Sequence, residues 1–244
     1  MHSKKELMIE INEENKISIL IQYLIYSDLE LQELIVDKLL IILSTKSFFS
    51  ITDKNLLTYL LSIDKLKYLV LKFLCEFPIE DLEPYLIGIY LYDKDSLNRV
   101  EAADALWNLE KNYNGLFFRG LEDKNELVRA YSISNMNLEI NNNILNKILQ
   151  LEKIDKSLIV RIACRNKLFF VTKDKKWIKK IYSNITSKNY HAAIWAIRSI
   201  EEAIDEDLLE IEEIKEIILN ANKNEKRSSV KGNLEDFIKN YINK

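Results

Sequence analysis

Three segments of the chain superimpose without gaps. "DKDSLNRVEAADAL" starts at Asp93, "DKNELVRAYSISNM" at Asp123 and "DKSLIVRIACRNKL" at Asp155. In each, an arginine follows the aspartate by six residues: Arg99, Arg129 and Arg161. An apolar residue then follows each arginine by seven: Leu106, Met136 and Leu168. The starts lie 30 and 32 residues apart, which is the period of stacked helix pairs. One such pair cannot bury its apolar face alone, so its neighbours must cover it.

Weaker copies extend the array in both directions. "SKNYHAAIWAI" (187–197) keeps Ala193 and Ala196 but has neither the aspartate nor the arginine. "DKLKYLVLKFL" (64–74) keeps Asp64, and "SDLELQELIVDKLL" (27–40) keeps Asp28. "NEKRSSVKGNL" (224–234) keeps Arg227 and Leu234. Between these segments run others with apolar residues at helical spacing: 80–92, 112–121, 141–151 and 173–183. The chain has only four glycines and two prolines, too few for the tight turns of a sandwich or barrel. The spacing predicts an all-α chain of about seven antiparallel helix pairs. No linker or composition break divides it, so a single domain over residues 1–244 is expected. Its first fourteen or so residues form a tail or an extra helix.

This pattern resembles the HEAT repeat, in particular its short form of about thirty residues found in phycobilisome-lyase-like proteins. The resemblance covers most of the chain and is carried best by residues 93–170. It implies a right-handed α-solenoid. It also implies that Arg99, Arg129 and Arg161 pack between repeats against acidic loops, forming a ladder with Asp93, Asp123 and Asp155. These six are therefore expected to be stacking residues, not catalytic ones. Each aspartate should cap the helix that follows it, with Asp123–Glu126 and Ser27–Glu30 at capping-box spacing. Small residues at Ala102, Ala105, Ser132, Ala163, Ala193 and Ala196 should let neighbouring helices approach closely.

Charge is unevenly spread although the net value is −3. Residues 161–190 hold nine basic side chains against Asp174, and residues 191–216 hold nine acidic ones against Arg198 and Lys215. A basic pair followed by an acidic helix over 201–216 suits a protein partner of mixed charge better than a duplex. Cys75 and Cys164 lie within apolar helical patterns and are expected to be free thiols. The charged segment "MHSKKELMIEINEEN" does not read as a secretory signal, and no apolar run is long enough to span a bilayer. A cytoplasmic protein of a bacterium with an AT-rich genome is expected, from abundant Ile, Lys and Asn.

Motifs for chemistry are missing. The two histidines are His2, in the expected tail segment, and His191, in the apolar "NYHAAIWAI". No Cys or His cluster has transition-metal spacing, and no phosphate-binding glycine loop is present, so neither metal nor cofactor is expected. Second helices line the concave side of such a solenoid. Aligning Tyr190 with the arginines puts Asp104, Ser134, Asn166 and Trp195 in one outward row, with Glu101 and Tyr131 in another. These six are the candidate partner-binding residues, with Trp195 as an anchor.

The expected function is therefore non-enzymatic protein binding through the concave face. Among stand-alone HEAT-like proteins this fits an immunity protein that neutralises a basic toxin. The rival is a HEAT-like alkylpurine DNA glycosylase, for which Trp195, Asp104 and the lysines of 161–180 are the available material. A lyase or chaperone for a chromophore-bearing protein is a third option, suggested by the short repeat form.

Overall fold

The computed structural model describes residues 4–14 and 16–243; His2 lies outside them. Fifteen α-helices and no strand occur among the described residues. They fall into two compact units, residues 1–111 and 112–244. The first holds α1 (Lys4–Glu13), α2 (Ile17–Tyr26), α3 (Leu29–Ser44), α4 (Ile51–Leu61), α5 (Lys67–Glu76), α6 (Glu83–Tyr92) and α7 (Ser96–Trp107). The second holds α8 (Asn114–Gly120), α9 (Glu126–Ser134), α10 (Asn142–Ile154), α11 (Leu158–Thr172), α12 (Lys176–Tyr182), α13 (Tyr190–Asp205), α14 (Lys215–Asn224) and α15 (Ser228–Phe237).

From α2 onward each even-numbered helix packs on the odd-numbered helix after it. In the first unit the pairs are α2/α3, α4/α5 and α6/α7, and α5 touches both α3 and α7. In the second they are α8/α9, α10/α11, α12/α13 and α14/α15, and the odd helices touch in order, α9 to α11 to α13 to α15. The N-terminal segment is an added helix: α1 packs on α3 with Ile11 fully buried. Second helices are lined with small residues where they meet. Ala102, Ala105, Ser132, Ala163, Ala193 and Ala196 are all buried, so the backbones can approach without voids.

The loop before each second helix is built on one plan. Asp93, Asp123 and Asp155 each accept the backbone N–H two residues on, at 2.9, 2.7 and 2.8 Å, folding an Asx turn. The residue at the end of that turn is the cap. Asp95, Asn125 and Ser157 accept from the N–H groups of Leu97, Leu127 and Val160. The recurrent aspartate is thus not the cap, contrary to expectation. One of its oxygens serves the loop, and in Asp93 and Asp155 the carboxylate also meets a cation. Neither expected capping box forms: Asn125 caps α9, and Asp28, not Ser27, caps α3. A reciprocal box occurs instead at Ser50 and Asp53 on α4.

The same plan fixes the register of the weaker copies. Asn189 caps α13 after a turn on Ser187, and Arg227 stands at the cap of α15 after a turn on Glu225. Ala193, not Tyr190, therefore occupies the arginine position of α13. Arg227 is likewise no counterpart of Arg129; that position in α15 is Lys231.

The acidic segment 201–216 is not one helix. α13 stops at Asp205, Asp207 takes a left-handed φ of 54°, and Leu208 N–H reaches back to Ala203 C=O at 2.9 Å. A 3-10 turn at Ile211–Glu213 follows, and α14 starts at Lys215. Burying Leu209 and Ile214 requires this reversal, because a continued helix would carry the chain past its own core.

Candidate functional site

The site depends on how neighbouring second helices are joined. Between α9 and α11 the joint is closed by charge. Arg129 donates from Nε and Nη2 to the two oxygens of Asp155, both at 2.9 Å. Its Nη1 donates to the carbonyls of Asp123 and Lys124 at 2.8 and 3.3 Å. The planar fork thus ties the loop before α9 to the loop before α11. Lys67 acts similarly in the first unit, reaching Asp93 at 2.5 Å and Asp64 at 2.9 Å. Burial works against the Asp93 carboxylate, but Lys67 and the Asp95 and Asn98 donors hold its pKa below the usual range. Arg99 takes the carbonyls of Asp93 and Lys94 at 2.9 and 3.4 Å.

A buried lysine adds a second tie between α9 and α11. Lys167 Nζ donates to the carbonyls of Ser134 and Met136 at 2.9 and 2.5 Å, satisfying the C-terminal end of α9. Burial pushes its pKa down to about 8, while the charge of Glu202 opposes the fall.

Between α11 and α13 the same wiring is incomplete. Ser187 stands where an aspartate would receive the arginine of the preceding repeat. Arg161 Nε is buried with no hydrogen-bond partner. The carbonyls of Ser187 and Lys188 are instead taken from the far side, by Arg227 Nη1 at 2.8 and 3.0 Å. Arg227 brings its own carboxylate: Nη2 lies 2.5 Å from Glu225, which that contact holds down at about 2.

A pocket of about 180 Å³ opens across α9, α11 and α13. Tyr131 and Ser134 of α9, Asn166 of α11, and Trp195, Arg198, Ser199 and Glu202 of α13 line it. Four of the six sequence candidates, Tyr131, Ser134, Asn166 and Trp195, therefore meet at one place. Their rows differ from expectation. With Ala193 in the arginine position, Trp195 belongs with Glu101 and Tyr131, and Arg198 belongs with Asp104, Ser134 and Asn166. The α11 member of the Trp195 row is Ala163, buried and small. Tyr131 and Trp195 meet across it edge to face, with centroids 5.3 Å apart and planes at 85°. Asn166 is buried; its Nδ2 donates to Glu202 at 2.6 Å, and its Oδ1 has no partner.

Arg198, Ser199 and Glu202 were not among the sequence candidates. The signal that would have placed Arg198 in the row of Asp104, Ser134 and Asn166 is the lysine after each turn residue: Lys94, Lys124, Lys156, Lys188 and Lys226. It aligns "SKN" with "DKD", "DKN" and "DKS", which sets α13 correctly.

The remaining two candidates lie in the first unit. Glu101 receives the Cys75 thiol through its backbone carbonyl at 3.4 Å and stands beside Tyr68, whose pKa is raised by burial and then by the Glu101 charge. Asp104, Glu101 and Glu76 all act on Cys75, whose thiol is pushed up by burial first and by these carboxylates second. Next to them, α3 and α5 enclose a groove of about 450 Å³ containing Leu40, Ile41, Leu69, Phe73 and Phe77, with Asp37, Lys72 and Glu76 among its polar groups. Burial, and then Glu33, raises the Asp37 pKa. Both cysteines are free thiols.

The basic cluster is largely absorbed by the fold. Glu152 is buried and accepts from Arg165 at 3.0 Å and Lys180 at 3.3 Å, Lys175 pairs with Glu213 at 2.6 Å, and Lys176 pairs with Asp174 at 2.7 Å. Trp177 is buried under Lys176 and Lys180, whose ammonium groups sit 4.9 and 4.7 Å from its ring centre. His191 is exposed and lies against Tyr190, ring centres 3.8 Å apart, not in the apolar packing expected of it. An outward position follows from the register, which turns Ala192 and Ala193 inward instead.

Among the described residues no group of three or more His, Cys, Asp or Glu side chains is placed to hold a metal ion, and no helix is long and apolar enough to cross a membrane. Compared with protein-family models and with curated proteins, the chain matches none of them.

Proposed function

We propose that the chain is a short HEAT-like α-solenoid of seven helix pairs that binds a protein partner along the face formed by its second helices. The observation that carries this reading is the α9/α11/α13 pocket, where a locked aromatic pair borders polar groups that include an unpartnered acceptor. Aromatic anchors beside desolvated polar groups are how protein interfaces concentrate binding energy. The apolar groove between α3 and α5, with Asp37 and Glu76 among its lining, supports a partner with a basic, amphipathic surface. A toxin neutralised by this chain fits that description. Nucleic acid fits less well, because Arg165, Lys175, Lys176 and Lys180 are each held by a carboxylate of the fold.

Quantitative affinity capture with the wild type and Trp195→Ala, read by mass spectrometry at low and high salt, tests the reading. A partner enriched by the wild type, lost with Trp195→Ala and weakened by salt is the expected result. Gel shifts with plain and alkylated duplexes are the counter-test. Tight duplex binding, or release of an alkylated base, would overturn protein binding in favour of a glycosylase.

A further inference from the structure

The pocket has a chemical sign. Asn166 Oδ1 is a buried acceptor with nothing to accept. Glu202, one hydrogen bond away, spends one oxygen on Asn166 Nδ2 and is otherwise exposed. Both groups therefore call for a donor. The walls are the Tyr131 and Trp195 rings, whose π faces favour a cation. A group with several N–H donors in one plane, able to lie flat on an indole, meets all three demands at once. That group is a guanidinium.

We propose that this pocket is a socket for an arginine side chain presented by the bound protein. The guanidinium donates to Glu202 and lies against Trp195, and a turn of the buried Asn166 amide brings its Oδ1 within reach as a second acceptor. The pocket volume, about 180 Å³, admits one such side chain and little more. An ammonium would fill the socket less well, because it cannot donate in a plane while stacking. Glu202 is open to the incoming charge. Arg198, one turn earlier on α13, makes no ion pair with it among the described residues. Arg198 instead acts on Glu201, where it offsets a pKa rise that burial causes. Standing at the edge of the same pocket, Arg198 repels a second cation and so restrains the affinity. The proposal rests on the protein-binding reading for its biological source of arginine, but the socket itself can be tested without a partner.

The test is a titration of the full chain with N-acetyl-arginine amide, following the Trp195 indole N–H resonance, which is assigned by its loss in Trp195→Phe. N-acetyl-citrulline amide, the same shape without the charge, is the control probe. The expected result is a saturable shift with the arginine probe in the millimolar range and none with citrulline. Glu202→Gln should weaken the arginine probe at least fivefold, and Arg198→Gln should strengthen it. Glu202 and Arg198 are exposed, so both variants should keep the fold, checked by the unchanged amide spectrum. A shift that does not saturate, equal binding of citrulline, or an affinity indifferent to Glu202→Gln would overturn the socket. A captured protein that binds Glu202→Gln as well as the wild type would also overturn it, while leaving protein binding intact. A working socket with no partner in the capture experiment would count against protein binding alone.

Discussion

Helix α11 is joined to α9 on one side and to α13 on the other, and the two joints are built differently. Toward α9, Arg129 meets a carboxylate with both arms of its fork, and Lys167 closes the end of the helix. Toward α13, Arg161 has a buried Nε without a partner, and Ser187 replaces the acid. The pocket spans α9, α11 and α13, and Asn166 Oδ1 in its lining is also unpartnered. Arg227 with Glu225 instead secures the Ser187 loop from the C-terminal side.

The largest expected effect breaks the stronger joint. Arg129→Ala removes a bidentate pair and strands the nearly buried Asp155, which should cost about 2–3 kcal/mol. Arg161→Ala should cost less than half of that. Urea denaturation of both variants checks the contrast, and equal losses would abolish it.

Next in size is the pH response of Lys167. Its folded pKa of about 8 lies below the ordinary 10.5, so the unfolded chain holds more protons between those values. Stability contributed by this group is therefore lowest below about pH 8 and rises toward 10.5. One pKa unit is worth about 1.4 kcal/mol, and the carbonyl acceptors oppose the burial, so a gain of about 2 kcal/mol is expected. Lys167→Met should lack this rise while the wild type shows it, as read from denaturation at pH steps across the window.

A smaller effect should sharpen the comparison by repairing the weaker joint. Ser187→Asp restores the acid facing Arg161 and should raise stability by about 1 kcal/mol. The gain should vanish when Arg161→Ala is added, and a double-mutant cycle measures this. If the gain survives without Arg161, the register argued for α13 is wrong.

The smallest effect concerns the substitute rung. Glu225 is held at about 2, chiefly by Arg227, against an ordinary value of 4.5. Its contribution is complete above 4.5 and is lost as the pH falls toward 2. The Arg227 side chain is 34% exposed, so solvent screens the pair and the difference between wild type and Glu225→Gln over that range should be slight. A thermal melt at pH 6 and pH 3 reads it.

What the sequence determined by itself was the helical architecture of each repeat. Apolar spacing and the 30- and 32-residue recurrence do not depend on atomic detail, so the second helices at 96–107, 126–134 and 158–172 were legible before any coordinates. Scarce glycine and proline argued against a sandwich or barrel. The tertiary structure decided which atom of each motif residue meets which partner. A spacing of six relates Asp123 to Arg129, yet Arg129 pairs through its fork with Asp155 and meets Asp123 only at its carbonyl. Trp195 was found by residue type, but its row was not, because "SKNY" lacks both residues used to set the register. Glu202 was not legible at all. Nothing local marks one carboxylate in an acidic stretch, and its importance comes from Asn166, 36 residues away in sequence and 2.6 Å away in space. Side-chain hydrogen bonds between repeats depend on how far neighbouring helices slide and turn, and that is a property of packing, not of periodicity.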